Sequence, residues 1–194
     1  MGINTGRTFG FTRTLTRVGS SAGEPWRSAE GGNMFFRKKV DVDEYCAASL
    51  NALFSPDREK VWEQLRQACN DPALSEIDRA AYINHVRAIM VELVLIAITK
   101  NCSMDIGSDA RFFTMTYFKN HCATQIEEIG RTYNQAFGAT AGDGVAGMVR
   151  SFSDQLTDGK LRQDTMQRLH AEFYAVLRPL FEEFKAIKLT KKRG

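Results

Sequence analysis

The stretch VRAIMVELVLIAI, residues 86–98, decides the fold of this chain. It is apolar around most of a helical circumference and carries one acid, Glu92, near its middle. A helix that is hydrophobic on nearly all sides is buried in a protein core or lies in a membrane. At about a dozen residues this stretch is shorter than the roughly 20 that a bilayer requires, and Arg87 and Lys100 punctuate it. The sequence therefore predicts the central helix of a soluble helical domain, with no membrane span.

Composition and charge are those of an ordinary globular protein. The chain has 194 residues, of which 43% are hydrophobic and 25% are charged, and this length suits one domain. The net charge of +3 is unevenly spread, because residues 1–39 hold seven bases and two acids, and residues 188–194 hold four bases and no acid. The segment between them is net acidic. We therefore expect no nucleic-acid-binding face on the folded part.

The N-terminal residues 1–33 are rich in Gly, Ser, Thr and Arg and show no helical or strand period, which predicts a disordered extension. Three interpretations remain for this segment: an untranslated leader, a genuine tail or a targeting peptide. The first is favoured because residues 30–33, EGGN, can be encoded by a purine run such as GAAGGAGGAAAT. That run has the form of a bacterial ribosome-binding site before Met34. N-terminal sequencing of the natural protein decides the question, and a chain that starts at Met1 contradicts the leader.

From residue 34 to 190 the spacing of apolar residues predicts one all-α domain, a bundle of about six helices, followed by a basic tail at 191–194. Capping residues and prolines place the helix boundaries. The six predicted helices run from Asp41 to Phe54, from Ser55 to Asn70, from Ser75 to Asn101, from Ser108 to Gly138, from Asp143 to the turn at Asp158, and through Leu169 to Ile187 with a kink at Pro179. No alternating run of strand length is present in the sequence.

The central helix carries a narrow polar stripe, formed by His85, Glu92 and Thr99 at intervals of seven residues. A charge on such a helix must be solvated or paired, so Glu92 either faces solvent or binds a base on a neighbouring helix. The alternative is a ligand-binding or catalytic carboxylate, since burial raises the proton affinity of an acid. These three residues are the candidate ligand-binding set.

Histidines and cysteines give no metal motif. His121 and Glu128 repeat the spacing of His85 and Glu92, but carboxylate-bridged metal sites use Glu-x-x-His on adjacent turns. The four cysteines are far apart, with no C-x-x-C pair, and no metal site is predicted. Their even number would permit disulfides, but they are interpreted as buried free thiols of a cytoplasmic protein, since the sequence shows no secretory signal.

An aromatic pair, Phe113 and Tyr117, lies opposite the face on which Met115 and Phe118 are expected to enter the core. Either the pair is buried between neighbouring helices, or it is exposed and marks a partner surface. Substitution of both by serine distinguishes these cases, because it unfolds a core and leaves the fold of an interface protein intact.

The sequence singles out no catalytic residue and no cofactor. The favoured function is a cytoplasmic helical protein of bacterial type that binds a protein partner or forms a homo-oligomer. One alternative is a bundle that holds a small apolar ligand or cofactor between its helices, with Glu92 or a histidine as the polar contact. A third is an all-α enzyme whose residues converge from separate helices and leave no local motif.

Overall fold

The computed structural model describes residues 38–121 and 123–191. These residues confirm the predicted all-α class, with eight helices where about six were expected. The elements in chain order are β1 (Lys38–Asp41), α1 (Val42–Leu53), α2 (Pro56–Cys69), α3 (Pro72–Ser75), α4 (Arg79–Asn101), α5 (Met104–Asn120), α6 (Thr124–Ala139), α7 (Gly144–Thr157), α8 (Gln163–Ala186) and β2 (Ile187–Thr190). The predicted disordered extension at 1–33 and residues 192–194 of the predicted basic tail lie outside the described residues.

Helix α4 forms the centre of the bundle, as the opening stretch predicts. It contacts α1, α2, α5, α6, α7 and α8, and every residue from 88 to 98 is buried. Each fully buried aliphatic side chain contributes about 1.5–3 kcal/mol of transfer free energy. The all-round apolar surface of α4 is therefore what holds six other helices together.

Short polar side chains begin several helices at the positions that the sequence indicates. Asp41 accepts hydrogen bonds from the backbone N–H groups of Asp43 and Glu44, which caps α1. Asp143 caps α7 in the same way through the N–H of Ala146. The predicted cap of the central helix is shifted: Asp78, not Ser75, caps α4, because Ser75 closes the single-turn helix α3.

The predicted helix from Ser108 to Gly138 is wrong, because two helices occupy this region. Helix α5 starts earlier, at Met104, and ends at Asn120, and α6 starts at Thr124. The backbone N–H of His121 still bonds the carbonyl of Tyr117, but the N–H of Ala123 reaches back to Phe118. This hydrogen bond spans five residues instead of four, so it ends α5 and changes the direction of the chain. No Gly or Pro marks the break, so the sequence period runs across it.

A pair of strands, which the sequence does not predict, joins the two ends of the domain. Strands β1 and β2 are parallel, with Lys38 opposite Ile187 and Asp41 opposite Thr190. Ile187 therefore begins a strand instead of ending the last helix. Helix α8 continues on both sides of Pro179, up to Ala186. Four residues are too few for an alternating pattern to be recognised in the sequence.

Among the described residues one helix, α4, is long and apolar enough to cross a bilayer, with a mean hydropathy of 1.6 over its most apolar window. It is longer than the stretch of about a dozen residues on which the sequence prediction rests, since the helix includes its polar flanks. The share of that window buried inside the bundle is 78%. Core helices of soluble proteins have the same properties, so the length of α4 is weak evidence for a membrane.

Candidate functional site

The Glu92 carboxylate lies inside the bundle, where α4, α5 and α6 meet. Its side chain is only 5% exposed, and it forms an ion pair with Arg111 of α5, with 3.2 Å between Nη2 and Oε2. Asn134 of α6 donates a hydrogen bond of 2.8 Å to the same oxygen. Gly130, one turn before Asn134, makes room for the group, because a Cβ there would lie 3.1 Å from Oε1. In the structure Glu92 is therefore paired with a base on a neighbouring helix.

Burial and pairing act in opposite directions on the acidity of this group. Desolvation raises the pKa of Glu92, and the Arg111 guanidinium and the Asn134 amide lower it, with a net rise. Arg111 is 41% exposed, so it links the buried carboxylate to the surface of the bundle. The ion pair neutralises the buried Glu92 carboxylate. It also leaves an acid with a raised pKa separated from solvent by the Arg111 side chain alone.

The other two residues of the predicted stripe bind separate partners. Nδ1 of His85 lies 2.6 Å from the hydroxyl of Tyr133, which is fully buried on α6. Burial lowers the pKa of His85 to about 4. Thr99 is exposed, and its hydroxyl donates a hydrogen bond of 2.7 Å to the Leu95 carbonyl of its own helix. Seven helical residues span about 10 Å, so the structure does not bring the three side chains into one site.

Glu92 has two partners, Arg111 and Asn134, that are absent from the candidates predicted from the sequence. Each is an ordinary polar residue on a helix surface, and neither has a spacing that points to α4. The only signal was indirect: a buried acid requires a base.

The aromatic pair Phe113 and Tyr117, for which the sequence left burial and exposure open, is half-buried. Phe113 and Tyr117 both pack against the core, and the Tyr117 ring stacks on His121 at 4.1 Å between centroids. The exposed aromatic of α5 is the neighbouring Phe112, whose exposed fraction is 73%, and Met104 at the start of the helix is 84% exposed. The role of Phe113 and Tyr117 as a partner surface stays a prediction.

Two of the cysteines that the structure describes, Cys46 and Cys69, are buried. Cys46, Cys69 and Cys102 form no disulfide within the described residues. Desolvation raises the pKa of the Cys46 thiol to about 12 and that of Cys69 to about 11, so both are protonated near neutrality. Within residues 38–121 and 123–191 no group of three or more His, Cys, Asp or Glu side chains is arranged to hold a metal ion.

A cleft of about 420 Å³ opens between α7 and the first half of α8, and Glu92 is not among its lining residues. One end holds a histidine–carboxylate pair, with Nε2 of His170 2.8 Å from Asp143. The backbone N–H of Ala146 and the His170 ring lower the pKa of Asp143, against a smaller effect of desolvation, so its carboxylate is ionised near neutrality. No local spacing in the sequence connects this pair, because Asp143 and His170 are 27 residues apart.

Comparison of the chain with protein-family models, with curated proteins and with solved structures gives no match.

Proposed function

We propose that this protein acts by self-association, and that two copies pair antiparallel through the exposed face of α5. The observation that carries the proposal is Phe112, an aromatic side chain 73% exposed at the midpoint of a 17-residue helix. Large aromatic side chains supply much of the binding energy at protein interfaces. Met104, the first residue of the same helix, is 84% exposed as well.

The polar residues on either side of Phe112 are arranged symmetrically about it along the helix. Asp105 and Lys119 each lie seven residues from Phe112, and seven residues return to within about 20° of the same helical face. Ser108 and Thr116 each lie four residues away. All four side chains are exposed.

This symmetry fits an isologous contact, in which each residue i of one copy meets residue j of the other and the reverse. A twofold axis through Phe112 places Asp105 against Lys119 of the second copy, twice in each dimer. The small side chains of Ser108 and Thr116 let the two helices approach around the central aromatic rings. Opposite charges and an apolar centre thus coincide on one face.

The expected affinity is modest. One helix face buries less area than a standard interface, and interfaces of that size are weak and transient. We expect a dissociation constant on the order of tens of micromolar. We also propose a cytoplasmic setting, and the free thiols of Cys46, Cys69 and Cys102, which form no disulfide among the described residues, support it.

Sedimentation equilibrium of the full chain over a wide concentration range tests the proposal. We expect a monomer–dimer equilibrium, which Phe112→Ser shifts to monomer without changing the unfolding midpoint. Tyr174→Ser is the matched control, because Tyr174 is 51% exposed on α8 and lies outside this face. A wild-type chain that stays monomeric, or a dimer that Phe112→Ser leaves intact, contradicts the proposal.

Charge exchange tests the antiparallel arrangement. Asp105→Lys and Lys119→Asp each place like charges together and should weaken the dimer about tenfold. The double variant restores both pairs and should recover the dimer. Failure of this recovery excludes the twofold axis at Phe112. If only a chain that begins at Met34 dimerises, the proposal is wrong for the full chain.

A further inference from the structure

The cleft between α7 and α8 contains a histidine–carboxylate pair that self-association does not use. The two residues converge from separate helices, because Asp143 caps the start of α7 and His170 lies in the first half of α8. Nε2 of His170 lies 2.8 Å from Oδ2 of Asp143. The side chains of His170 and Asp143 are 33% and 48% exposed, so water and a small molecule can reach the pair.

The contact with Asp143 determines which nitrogen of the His170 ring carries the proton. The Ala146 N–H and the His170 ring lower the pKa of Asp143, so its carboxylate is ionised and only accepts hydrogen bonds. Nε2 must then donate, and in the neutral imidazole Nδ1 holds the lone pair. Among the described residues Nδ1 has no hydrogen-bond partner. An imidazole oriented in this way by a carboxylate can act as a general base.

The cleft has the size of a small-molecule site and an apolar surface next to the pair. Its volume of about 420 Å³ falls within the range of about 300–1,000 Å³ in which such sites occur. Ala146 and Met166 line it, and each lies one helical turn from a member of the pair. Val149 extends this apolar lining along α7. A short aliphatic chain suits such a surface.

A cation lies at the same end of the cleft as the pair. Arg150 lines the cleft, and its guanidinium donates a hydrogen bond of 3.4 Å to the hydroxyl of Thr140, three residues before Asp143. This bond is long, and the Arg150 side chain is exposed. A guanidinium in this position can stabilise negative charge that forms on a carbonyl oxygen.

The lining of the cleft limits the groups on which His170 can act. None of the described residues that line it carries a hydroxyl or a thiol. Within this set no side chain can serve as the nucleophile of a covalent mechanism. Water is therefore the group that the imidazole can deprotonate.

From this arrangement we propose that the α7–α8 cleft hydrolyses small carboxylic esters with a short aliphatic acyl chain. Nδ1 of His170 takes a proton from a water molecule while the water oxygen bonds to the carbonyl carbon of the ester. Arg150 stabilises the oxyanion that forms. The bond from this carbon to the alcohol oxygen then breaks, and the leaving oxygen takes the proton from Nδ1. One ester and one water thus give one carboxylic acid and one alcohol.

The two members of the pair have different roles in this reaction. His170 is the catalytic residue, because it exchanges the proton with the reacting groups. Asp143 is a positioning residue, which holds the ring and stabilises the imidazolium that forms. The proposal does not depend on self-association, because it uses no residue of α5. Phe112→Ser should therefore hydrolyse esters like the wild type.

Initial rates of p-nitrophenyl butyrate hydrolysis by the full chain test the proposal. We expect the rate to saturate with ester concentration, and we expect His170→Gln to lower kcat/KM about a hundredfold, the low end of what general acid–base catalysis contributes. His121→Gln is the matched control, because it removes an exposed imidazole that contacts the Tyr117 carbonyl outside the cleft. A rate that only rises linearly with ester concentration overturns the proposal, and so does a rate that His170→Gln leaves unchanged.

A solvent isotope effect separates general-base catalysis from direct attack of the imidazole on the ester. The general base moves a proton in the slow step, so the rate should be lower in deuterium oxide than in water. Equal rates in the two solvents exclude the proposed role of His170.

Two further variants test the other groups. Asp143→Asn keeps a good helix cap and removes the charge, so it should lower kcat and leave KM unchanged. Arg150→Gln removes the cation and should also lower kcat. A kcat that neither variant changes contradicts the mechanism. Thermal unfolding of each variant shows that the fold is retained.

Discussion

Two consecutive residues of α5 reverse the usual distribution of polar and apolar groups. Arg111 turns toward the interior and pairs with the buried Glu92, whereas Phe112 is 73% exposed. The buried acid is the more conspicuous feature of the sequence, but the fold itself supplies its partners, Arg111 and Asn134. The exposed aromatic side chain has no comparable cover among the described residues. A buried charge is thus explained by its partners within the chain, whereas an exposed aromatic side chain is available to a partner outside it.

The energetics of the two residues also differ. A buried ion pair is weak evidence for stability, because desolvation offsets most of the attraction, yet loss of one partner destabilises strongly. An exposed aromatic residue adds little to folding, and its truncation changes stability by less than about 0.5 kcal/mol. Stability measurements therefore separate residues that serve the fold from those that are available for binding.

The largest expected effect concerns the half-buried aromatic pair beside Phe112. Phe113→Ser with Tyr117→Ser removes two rings that pack on the core, and we expect a loss of about 3 kcal/mol in the free energy of unfolding. Urea denaturation measures it, with Phe112→Ser as the matched exposed control. If the double variant is as stable as the wild type and loses self-association, the pair belongs to an interface and the comparison with Phe112 fails.

The next effect concerns the buried ion pair. Arg111→Met leaves the Glu92 carboxylate without its cation, and we expect a loss of about 2 kcal/mol, below the 3–5 kcal/mol of fully buried pairs because Arg111 is 41% exposed. Adding Glu92→Leu to this variant should bring the stability back to within about 1 kcal/mol of the wild type. A double variant that is no more stable than Arg111→Met alone shows that the pair contributes net stabilisation.

The smallest effect is the pH dependence of His85. Burial lowers the pKa of His85 to about 4 in the folded chain, against about 6.5 when unfolded, so the unfolded state binds more protons between these values. Stability is therefore unaffected by His85 above pH 6.5 and falls as the pH drops toward 4. We expect a loss of about 1 kcal/mol at pH 5.5 relative to pH 8.

The variant His85→Gln isolates this contribution, because the carboxylates of the chain titrate in both proteins. Its unfolding free energy should vary less with pH than that of the wild type between pH 6.5 and 4. Urea denaturation at each pH measures this free energy. If it changes equally with pH in both proteins, His85 is in contact with water and is not an interior polar group.

The candidate surface on α5 shows where sequence reasoning failed. For the single helix predicted over 108–138, the position of the apolar face depends partly on Ile126 and Ile129, which belong to α6. That phase does not apply to α5, whose inward face carries Ile106, Ala110, Thr114 and Phe118. As a result Phe113 and Tyr117 were placed opposite the expected core face, with burial and exposure both left open, and Phe112 was overlooked. The error follows from one unmarked break at residues 121–123.

Features that depend on residues three or four positions apart follow from the sequence alone: the all-α class, the buried central helix and the caps at Asp41 and Asp143. The meeting of distant groups depends on the tertiary structure. It paired Glu92 with Arg111, joined residues 38–41 to 187–190, and set Asp143 beside His170. Periodicity and capping are local because a helix bonds each residue to the fourth before it. Contacts between helices depend on packing angles and register, which leave no trace in the spacing of the sequence.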